Sequence, residues 1–435
     1  MKGITSIFIV FASIFVGYSQ ENTKVWSIEE CIDSAIKNNI GVKTSELTSQ
    51  MNEIEVYRSK MDFYPSVSGS IGATYGFGTP LGKNSFNNNF GISSHVVLYN
   101  GNRNKKLLKK SEKNLEISKL NSKKIQDDIT LRVVNAYLNI LYNRESVRIA
   151  QNQIKVGENL VIRMQELVDA GTKARNDLFQ IEASLASNEE SLVRAENNLD
   201  LSLLDLSQIL QVPHKGFDVK EVRVNLETAK LLYNDSDIIF EKALIWRPEI
   251  ESAKIDIENS ELDYEIAKSG FLPTLSASYG FGTNFIDVQD ALNQSYYFKQ
   301  LADNSGHSLG LSVSIPIFDK FNTKNSIQRA RIQKEIAEFS LENEKTNLRA
   351  TVERAFIDAK TSLKTFEAAK KSVEAQEEAF RTAKERYDLG VLTSYDFDQV
   401  RNQLVNSQSN LLRAKYSFIF RSKFLDFYYG LPIKL

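Results

Sequence analysis

The residues best suited to catalysis or metal binding are few and widely scattered along the chain. They are His95, His214, His307 and the single cysteine, Cys31. A zinc site draws ligands from short pairs separated by a few residues, and none of these four has such a neighbour. The segments 76–78 and 280–282 carry two glycines each, but they lack the third glycine and the helix of a dinucleotide-binding loop. The sequence therefore predicts a protein that is not an enzyme and that uses neither a metal nor a cofactor.

A second set of residues recurs at a fixed distance along the chain. Gly171 and Gly390 lie 219 residues apart, and so do Asp177 and Asp396. Each glycine stands between two long helical patterns, so we expect it to end a helix in the left-handed conformation and open a tight antiparallel hairpin. The two aspartates fall in the first turn of the next helix, where the helix dipole already favours an acid. A structural role and a functional role are both open for them.

The composition bounds the class of protein and its partners. Lys and Arg total 54 and Asp and Glu total 55, which gives a net charge of -1. Nucleic-acid binders usually carry a marked basic excess, so nucleic acid is not expected as the main partner. The whole chain has 7 prolines and 20 glycines, and so few helix breakers predict long uninterrupted helices.

The first 20 residues are predicted to be a signal peptide. Lys2 supplies a positive start and residues 4–16 form an apolar run of suitable length. A membrane anchor is the alternative interpretation, but the run is short for a helix that crosses a bilayer.

The chain is an internal duplication, because similar segments recur 204, 208 or 219 residues apart. The matched pairs include Ser59–Pro65 with Ala267–Pro273, Tyr75–Thr79 with Tyr279–Thr283, Tyr99–Asn100 with Phe318–Asp319, and Pro213 with Pro432. The sequence therefore predicts a first repeat over 21–213, a linker or equatorial module over 214–236, and a second repeat over 237–435. Each repeat should contain a helix, two strands joined by a loop, a long helix, a tight turn and a returning helix.

Four segments alternate strictly between apolar and small polar residues, with strands predicted at about 66–78, 88–99, 274–284 and 307–318. A soluble sandwich strand would alternate too, but no further strands are predicted that could complete a sandwich. Strands of about ten residues suit a tilted crossing of a membrane. Four strands leave open edges, so the sequence also predicts an oligomer in which every copy contributes strands.

Long helices are predicted at about 102–168, 175–211, 322–389 and 394–429. The longest would each span roughly 100 Å at 1.5 Å per residue. Apolar residues recur at three- and four-residue spacing, as in Leu348, Val352, Ala355 and Ala359. Such a seam favours packing against a partner helix.

The duplicated Phe-x-Pro before each first strand, and the Arg386–Ser394 turn with Asp396 beyond it, together resemble the TolC-like outer-membrane efflux protein family. The resemblance implies a mainly α fold with a transmembrane β-hairpin pair. Three subunits would form a 12-stranded barrel in the outer membrane and an α-helical tunnel in the periplasm. The implied function is the channel of a tripartite efflux or type I secretion system. Its expected partners are the homotrimer, a periplasmic adaptor protein, an inner-membrane transporter and outer-membrane lipid.

The same resemblance implies roles for the two hairpin tips. For closing the periplasmic entrance it implies Asp177 and Tyr387, and for an acidic ring at the same entrance it implies Asp396. A basic residue is expected where Leu392 stands, and Lys173, at the equivalent place in the first hairpin, is the candidate substitute. For docking the adaptor it implies Gly171, Thr172, Gly390, Val391 and Thr393. The alternative function is a structural or adhesive coiled-coil envelope protein without a channel. That alternative explains the helices but not the four alternating strands.

Overall fold

The computed structural model describes residues 25–78, 84–222, 230–288 and 295–433. The predicted signal peptide over 1–20 lies outside these ranges. A mainly helical chain with one antiparallel sheet is observed, as the sequence predicts. In the first half the helices and strands are β1 (Val25–Trp26), α1 (Ile28–Asn38), α2 (Ile40–Met61), β2 (Ser66–Gly76), β3 (Ser85–Tyr99), α3 (Arg103–Asp169) and α4 (Arg175–Leu210). In the second half they are β4 (Asp218–Val219), α5 (Ser236–Trp246), α6 (Pro248–Lys268), β5 (Thr274–Val288), α7 (Tyr297–Asp303), β6 (Gly306–Ser314), α8 (Asn322–Asp388) and α9 (Ser394–Tyr429).

Helices α3 and α8 contain 67 residues each and form the long axis of the molecule. The returning helices α4 and α9 pack on the parts of α3 and α8 that are far from the strands. The short helices α2 and α6 pack on the parts of α3 and α8 that are next to the strands. Helix α6 contacts both α3 and α8, so it joins the two repeats. Each long helix is therefore flanked along its length by two shorter helices in succession. These are α2 and α4 along α3, and α6 and α9 along α8.

The four long strands form one sheet in the order β2-β3-β5-β6, with every neighbouring pair antiparallel. The central pairing of β3 with β5 joins the first repeat to the second. The prediction of two hairpins left this pairing open, because alternation identifies a strand but not its partner.

Three strand limits differ from the sequence prediction. Strand β3 begins at Ser85 rather than near 88, and β5 continues to Val288 rather than 284, because these extensions pair with each other. Strand β6 ends at Ser314 rather than near 318. Pro316 follows two residues later, and proline has no N–H to continue the ladder. The equatorial segment also contains a strand that was not predicted, since β4 pairs in parallel with β1.

The main hydrophobic core lies halfway along α3 and α8, where α1, α5 and the ends of α4 and α9 pack around them. Tyr137 is fully buried there, and its hydroxyl donates a hydrogen bond to the Lys220 carbonyl oxygen at 2.7 Å. Arg247 is also buried and pairs with Asp127 at 3.3 Å and with Glu249 at 2.9 Å. Burial raises the pKa of Asp127 above its ordinary value, although the nearby arginine opposes this. This core holds the two repeats together at the equator.

Candidate functional site

The sheet has one mainly apolar face and one face mainly of small polar residues, and both run across all four strands. The strand register places Ile71 opposite Phe90, and Tyr279 opposite Leu309, on the same face. This face carries Val67, Ile71, Tyr75, Phe86, Phe90, Ile92, Ala277, Tyr279, Phe281, Leu309, Leu311 and Val313. The opposite face carries Ser66, Ser68, Ser70, Gly72, Thr74, Gly91, Ser93, Ser276, Ser278, Gly280, Ser308, Gly310 and Ser312. Large apolar residues such as Ile71 (78%) and Leu309 (84%) are exposed, so the described residues leave this part of the face uncovered. At one end of the same face, Phe285 contacts Tyr297 of α7 with ring centroids 4.7 Å apart.

Both outer strands of the sheet keep an unpaired edge within the described residues. Strand β2 pairs only with β3, and β6 pairs only with β5. Free N–H and C=O groups along such an edge are suited to pairing with another strand. The sheet therefore has the geometry of a segment of a larger closed structure rather than of a finished sheet.

The first hairpin tip lies at the far end of α3 from the sheet. Helix α3 ends in a left-handed Gly171 at φ 74°, whose N–H donates to the Val168 carbonyl. The N–H of Thr172 donates to the Leu167 carbonyl at 2.9 Å, which completes a Schellman stop. Helix α4 then begins after Ala174, which has no capping side chain. The end of α3 therefore has both hydrogen bonds of its stop, whereas the start of α4 has no side-chain cap.

The second hairpin tip repeats this stop but restarts differently. Gly390 is left-handed at φ 75°, and the Val391 N–H donates to the Arg386 carbonyl at 2.9 Å. Thr393 then caps α9, because its hydroxyl oxygen accepts from the Asp396 N–H at 3.2 Å. The same hydroxyl donates to the Asp396 carboxylate at 2.7 Å. The second tip thus has a capped restart that ties Asp396 to Thr393.

A separate hydrophobic cluster holds the two tips against each other. Its buried members are Met164, Leu178, Ile181, Ala383, Tyr387 and Phe397. The ring of Tyr387 stacks on Phe397 with centroids 4.6 Å apart and planes 13° apart. Leu392 packs against this cluster from the tip. The position where a basic residue was expected is therefore used to extend an apolar contact.

The predicted entrance residues lie at one end of the molecule but in different environments. Asp177 and Lys173 are half-buried, Asp396 is exposed and Tyr387 is buried. Among the predicted adaptor residues Gly171, Thr172, Gly390, Val391 and Thr393, every one is exposed at a tip. Lys173 forms no ion pair with any residue in the described ranges. Its predicted role as a replacement for the missing basic residue stays a prediction.

Two polar links between the hairpins were not predicted. Arg163 of the first hairpin pairs with Asp388 of the second at 2.5 Å. Deeper in, the buried Arg401 pairs with Asp398 and donates to the Ser184 hydroxyl at 2.8 Å. The duplication gave no signal for this second link. The position in the first repeat that matches Arg401 is Glu182, which is acidic and so does not repeat the arginine. For the first link, Asp388 was part of the turn motif, but its partner was not evident from spacing.

Within the described ranges, no group of three or more His, Cys, Asp or Glu side chains is placed to hold a metal ion. In the same part of the chain, no helix has both the length and the apolar character needed to cross a membrane.

A family model described as "Outer membrane efflux protein" matches residues 31–211 and 239–430. These two segments contain both hairpins, both pairs of long strands and both tips described above. The chain belongs to the outer membrane efflux protein family, and it is a protein of the outer membrane with its helices in the periplasm.

Curated relatives are distant but consistent with this family. The chain is 21% identical over 298 residues to the "Proteases secretion protein PrtF" of Dickeya chrysanthemi, covering 67% of this chain and 62% of the relative. It is 20% identical to the "Outer membrane efflux protein BepC" of Brucella suis, covering 89% and 82%. It is 22% identical to the "Outer membrane protein TolC" of Vibrio cholerae, covering 68% and 66%. The match thus spans less than two thirds of the length of PrtF and of TolC.

Solved structures confirm the fold class. The Campylobacter jejuni CmeC outer membrane channel aligns with a TM-score of 0.78 at 18% identity, covering 93% of this chain and 85% of that one. The Vibrio cholerae outer membrane protein VceC aligns with a TM-score of 0.76 at 14% identity, covering 94% and 97%. At these identities the likeness concerns the fold alone.

Proposed function

We propose that this chain is one subunit of a passive outer-membrane export channel. The single observation that carries the proposal is the sheet, which has one mainly apolar face and one face mainly of Ser, Gly, Thr and Asn, and which keeps both edges open within the described residues. An apolar face suits lipid and a small polar face suits a water-filled lumen. Lipid does not tolerate an open strand edge, so the edges must close against other copies.

The number of copies follows from the strand count and the family. Three copies of a four-stranded sheet give a 12-stranded barrel, within the range of known membrane barrels. Inside the chain β3 of the first repeat pairs antiparallel with β5 of the second. An equivalent antiparallel pairing between copies would join β6 of one copy to β2 of the next. Three such pairings would close the ring.

The helices would then form a tunnel that continues the pore through the periplasm. The long helices α3 and α8 reach roughly 100 Å, which is far beyond the sheet and the membrane. The two tips lie at the distant end, where an inner-membrane transporter would deliver cargo. The exposed Gly171, Thr172, Gly390, Val391 and Thr393 would contact a periplasmic adaptor protein there. The relatives named for protease secretion and for efflux support a tripartite efflux or type I secretion system.

The entrance would be closed in this chain by packing as much as by charge. Tyr387 is buried against Phe397, so it would act by holding the second hairpin against the first. Three copies of the exposed Asp396 would form an acidic ring that favours cations. Asp177 and Lys173 would line the same opening from the first tip.

Single-channel recording of the purified protein in a planar bilayer tests this function. We expect a small closed-state conductance, a larger one in Asp177→Ala with Tyr387→Ala, and a weaker preference for cations in Asp396→Asn, read from the reversal potential in a KCl gradient. A folded preparation that gives no conductance in wild type or in the double variant would rule the channel out. Recovery of the protein from the soluble periplasmic fraction without detergent would instead support the structural coiled-coil alternative.

A further inference from the structure

Helix α7 packs on the apolar face of the sheet, at the end that is far from the long helices. The ring of Tyr297 contacts Phe285 on that face, with centroids 4.7 Å apart. The side-chain amide of Asn88, which lies opposite Phe285 in the strand register, donates to the Tyr297 hydroxyl at 3.3 Å. The Thr283 hydroxyl, two residues along the same face, donates to the Leu301 carbonyl. Three residues of one face therefore hold α7, so the helix lies on the apolar side of the sheet and not on the polar side.

The same helix occupies part of the edge of β5. Strand β6 pairs with β5 only as far as Gly282, and β5 continues beyond that point. There the Gln300 side chain accepts from the Ile286 N–H and donates to the Ile286 carbonyl, both at 3.1 Å. The Asn304 side chain donates to the Asn284 carbonyl at 2.8 Å. These bonds take the place of strand pairing, so the position of α7 is fixed relative to the sheet.

The height of α7 on the sheet follows from the geometry of β5. Phe285 lies ten residues beyond Leu275 on the same face. At about 3.3 Å per residue and a tilt of about 40°, that stretch rises roughly 25 Å, which is the usual height of the apolar band on a membrane barrel. The residues on this face also become partly polar at this level, with Asn88 and Thr283. Helix α7 is therefore placed at the boundary between hydrocarbon and headgroups.

The side of this segment that faces away from the sheet exposes aromatic rings. Tyr296, at the start of α7, is 90% exposed and Phe298 is 82% exposed, whereas Tyr297 between them contacts the sheet. The rings of Tyr297 and Phe298 meet edge to face with centroids 5.3 Å apart, so the exposed rings continue the apolar face through Phe285. Aromatic side chains concentrate at membrane interfaces, where the ring meets the acyl chains and a polar end stays in water. This continuity with the apolar face favours a lipid surface as the partner of the exposed rings.

We propose that α7, through Tyr296 and Phe298, anchors each copy to the headgroup region of the outer leaflet on the outside of the barrel. The partner is a lipid surface, and the proposal rests on the channel function proposed above, because that function turns the apolar face of the sheet toward lipid. Interfacial aromatic side chains oppose displacement of a membrane protein in either direction along the membrane normal. The anchor therefore sets the height of the barrel in the membrane, while α7 itself stays clear of the mouth of the pore.

Quenching of a tryptophan by brominated lipid tests where the exposed rings lie. The variant is Phe298→Trp in the full chain, reconstituted in phosphatidylcholine vesicles. The two native tryptophans, Trp26 and Trp246, pack against the equatorial core, so wild type in the same vesicles gives the background to subtract. Lipid brominated near the headgroup end of its acyl chains should lower the added emission about twofold or more, and lipid brominated near the chain ends should lower it less.

Two matched tryptophans calibrate the measurement. Leu309→Trp lies on the apolar face of the sheet and should be quenched by both brominated lipids, because that face meets the hydrocarbon in the proposed channel. Thr74→Trp lies on the polar face, in register through Asn87 with Ile286, which α7 contacts. It should be quenched by iodide in the water and by neither lipid. If Phe298→Trp does not assemble, Tyr296→Trp makes the same measurement from the neighbouring exposed position.

The outcomes separate the anchor from the channel. If lipid quenches Leu309→Trp, but iodide alone quenches Phe298→Trp, the anchor is wrong and the channel stands. Protection of Phe298→Trp from both quenchers would show that a neighbouring copy covers it, and would also contradict the anchor. If lipid does not quench Leu309→Trp, the apolar face does not meet the membrane, and the channel and the anchor both fall. If lipid quenches both variants as expected but no variant conducts ions, the anchor stands and the channel function falls.

Discussion

The two hairpin tips come from the same duplicated pattern, but the second tip is held by more side-chain contacts than the first. Both end their long helix with a left-handed glycine and the same pair of backbone hydrogen bonds. Only the second tip restarts with a capping side chain, Thr393, and only the second has a stacked aromatic pair, Tyr387 on Phe397. At the matching places the first tip has Ala174, Val168 and Leu178.

This difference indicates that the two tips differ in how readily they move. The second tip is held by its cap, by the aromatic stack and by Leu392 against the cluster. The first tip has neither cap nor stack, and it carries Lys173, which forms no ion pair with another residue that the structure describes. We therefore expect the first tip to open more readily and the second to act as the support against which it moves.

The largest effect should come from Tyr387→Ala compared with Val168→Ala at the matching position. Removing the buried, stacked ring should cost roughly 3–5 kcal/mol, as aromatic-to-alanine changes in a core do. Trimming half-buried Val168 should cost about 1 kcal/mol. Hydrogen exchange followed by mass spectrometry should show faster exchange over 383–400 in the first variant and little change there in the second. Equal effects of the two variants would remove the distinction between the tips.

Gly171→Ala and Gly390→Ala should have effects of the same size. Both glycines are left-handed, and a Cβ at either would meet no heavy atom within 4 Å. The cost is therefore backbone strain alone, about 1–2 kcal/mol at each tip. Exchange rates of the amides in the preceding helical turn measure it. A much larger effect at one tip would show that this glycine serves a contact beyond stopping its helix.

Exchanging the caps should make the tips more alike. Thr393→Ala should destabilise the start of α9 by about 1 kcal/mol, and Ala174→Thr should stabilise the start of α4 by a similar or smaller amount. The difference in exchange rate between the first turns of α4 and α9 should shrink in each variant. If Thr393→Ala leaves α9 unchanged, the cap is not what holds the second tip.

The smallest effect should come from the Arg163–Asp388 pair that joins the tips. Its side chains are 45% and 39% exposed, so solvent screens the pair and its contribution should be about 0–1 kcal/mol. Arg163→Ala should slightly raise the open probability in planar bilayers at low salt, and the difference from wild type should vanish near 1 M salt. Arg331→Ala, which removes an exposed arginine that pairs with Glu335 on its own helix and lies far from the tips, is the control.

Prediction from sequence succeeded where the physics is local and periodic. The rarity of proline and glycine, the seam at three- and four-residue spacing and the alternation of the strands each depend on neighbours a few residues away. Gly171 and Gly390 were read as helix stops for the same reason. The duplication added information that no single segment carries, since it matched the two tips position by position.

The entrance was harder to predict, because its contacts join residues that are far apart in sequence. Leu392 was recognised as a departure from the family pattern, but its place against the Tyr387–Phe397 cluster depends on how two hairpins meet. The buried Arg401 with Ser184 had no periodic signal at all. Strand β6 was predicted too long, since alternation continues past the point where Pro316 ends the ladder.

By itself the sequence determined the helices, their stops, the two-faced strands and the duplicated order in which they follow one another, because backbone geometry and side-chain periodicity act over a few residues. Only the tertiary structure decided that β3 pairs with β5, that Tyr387 faces inward, and that Arg163 pairs with Asp388. Those outcomes depend on which surfaces exclude water together, and that is settled between elements that lie far apart along the chain.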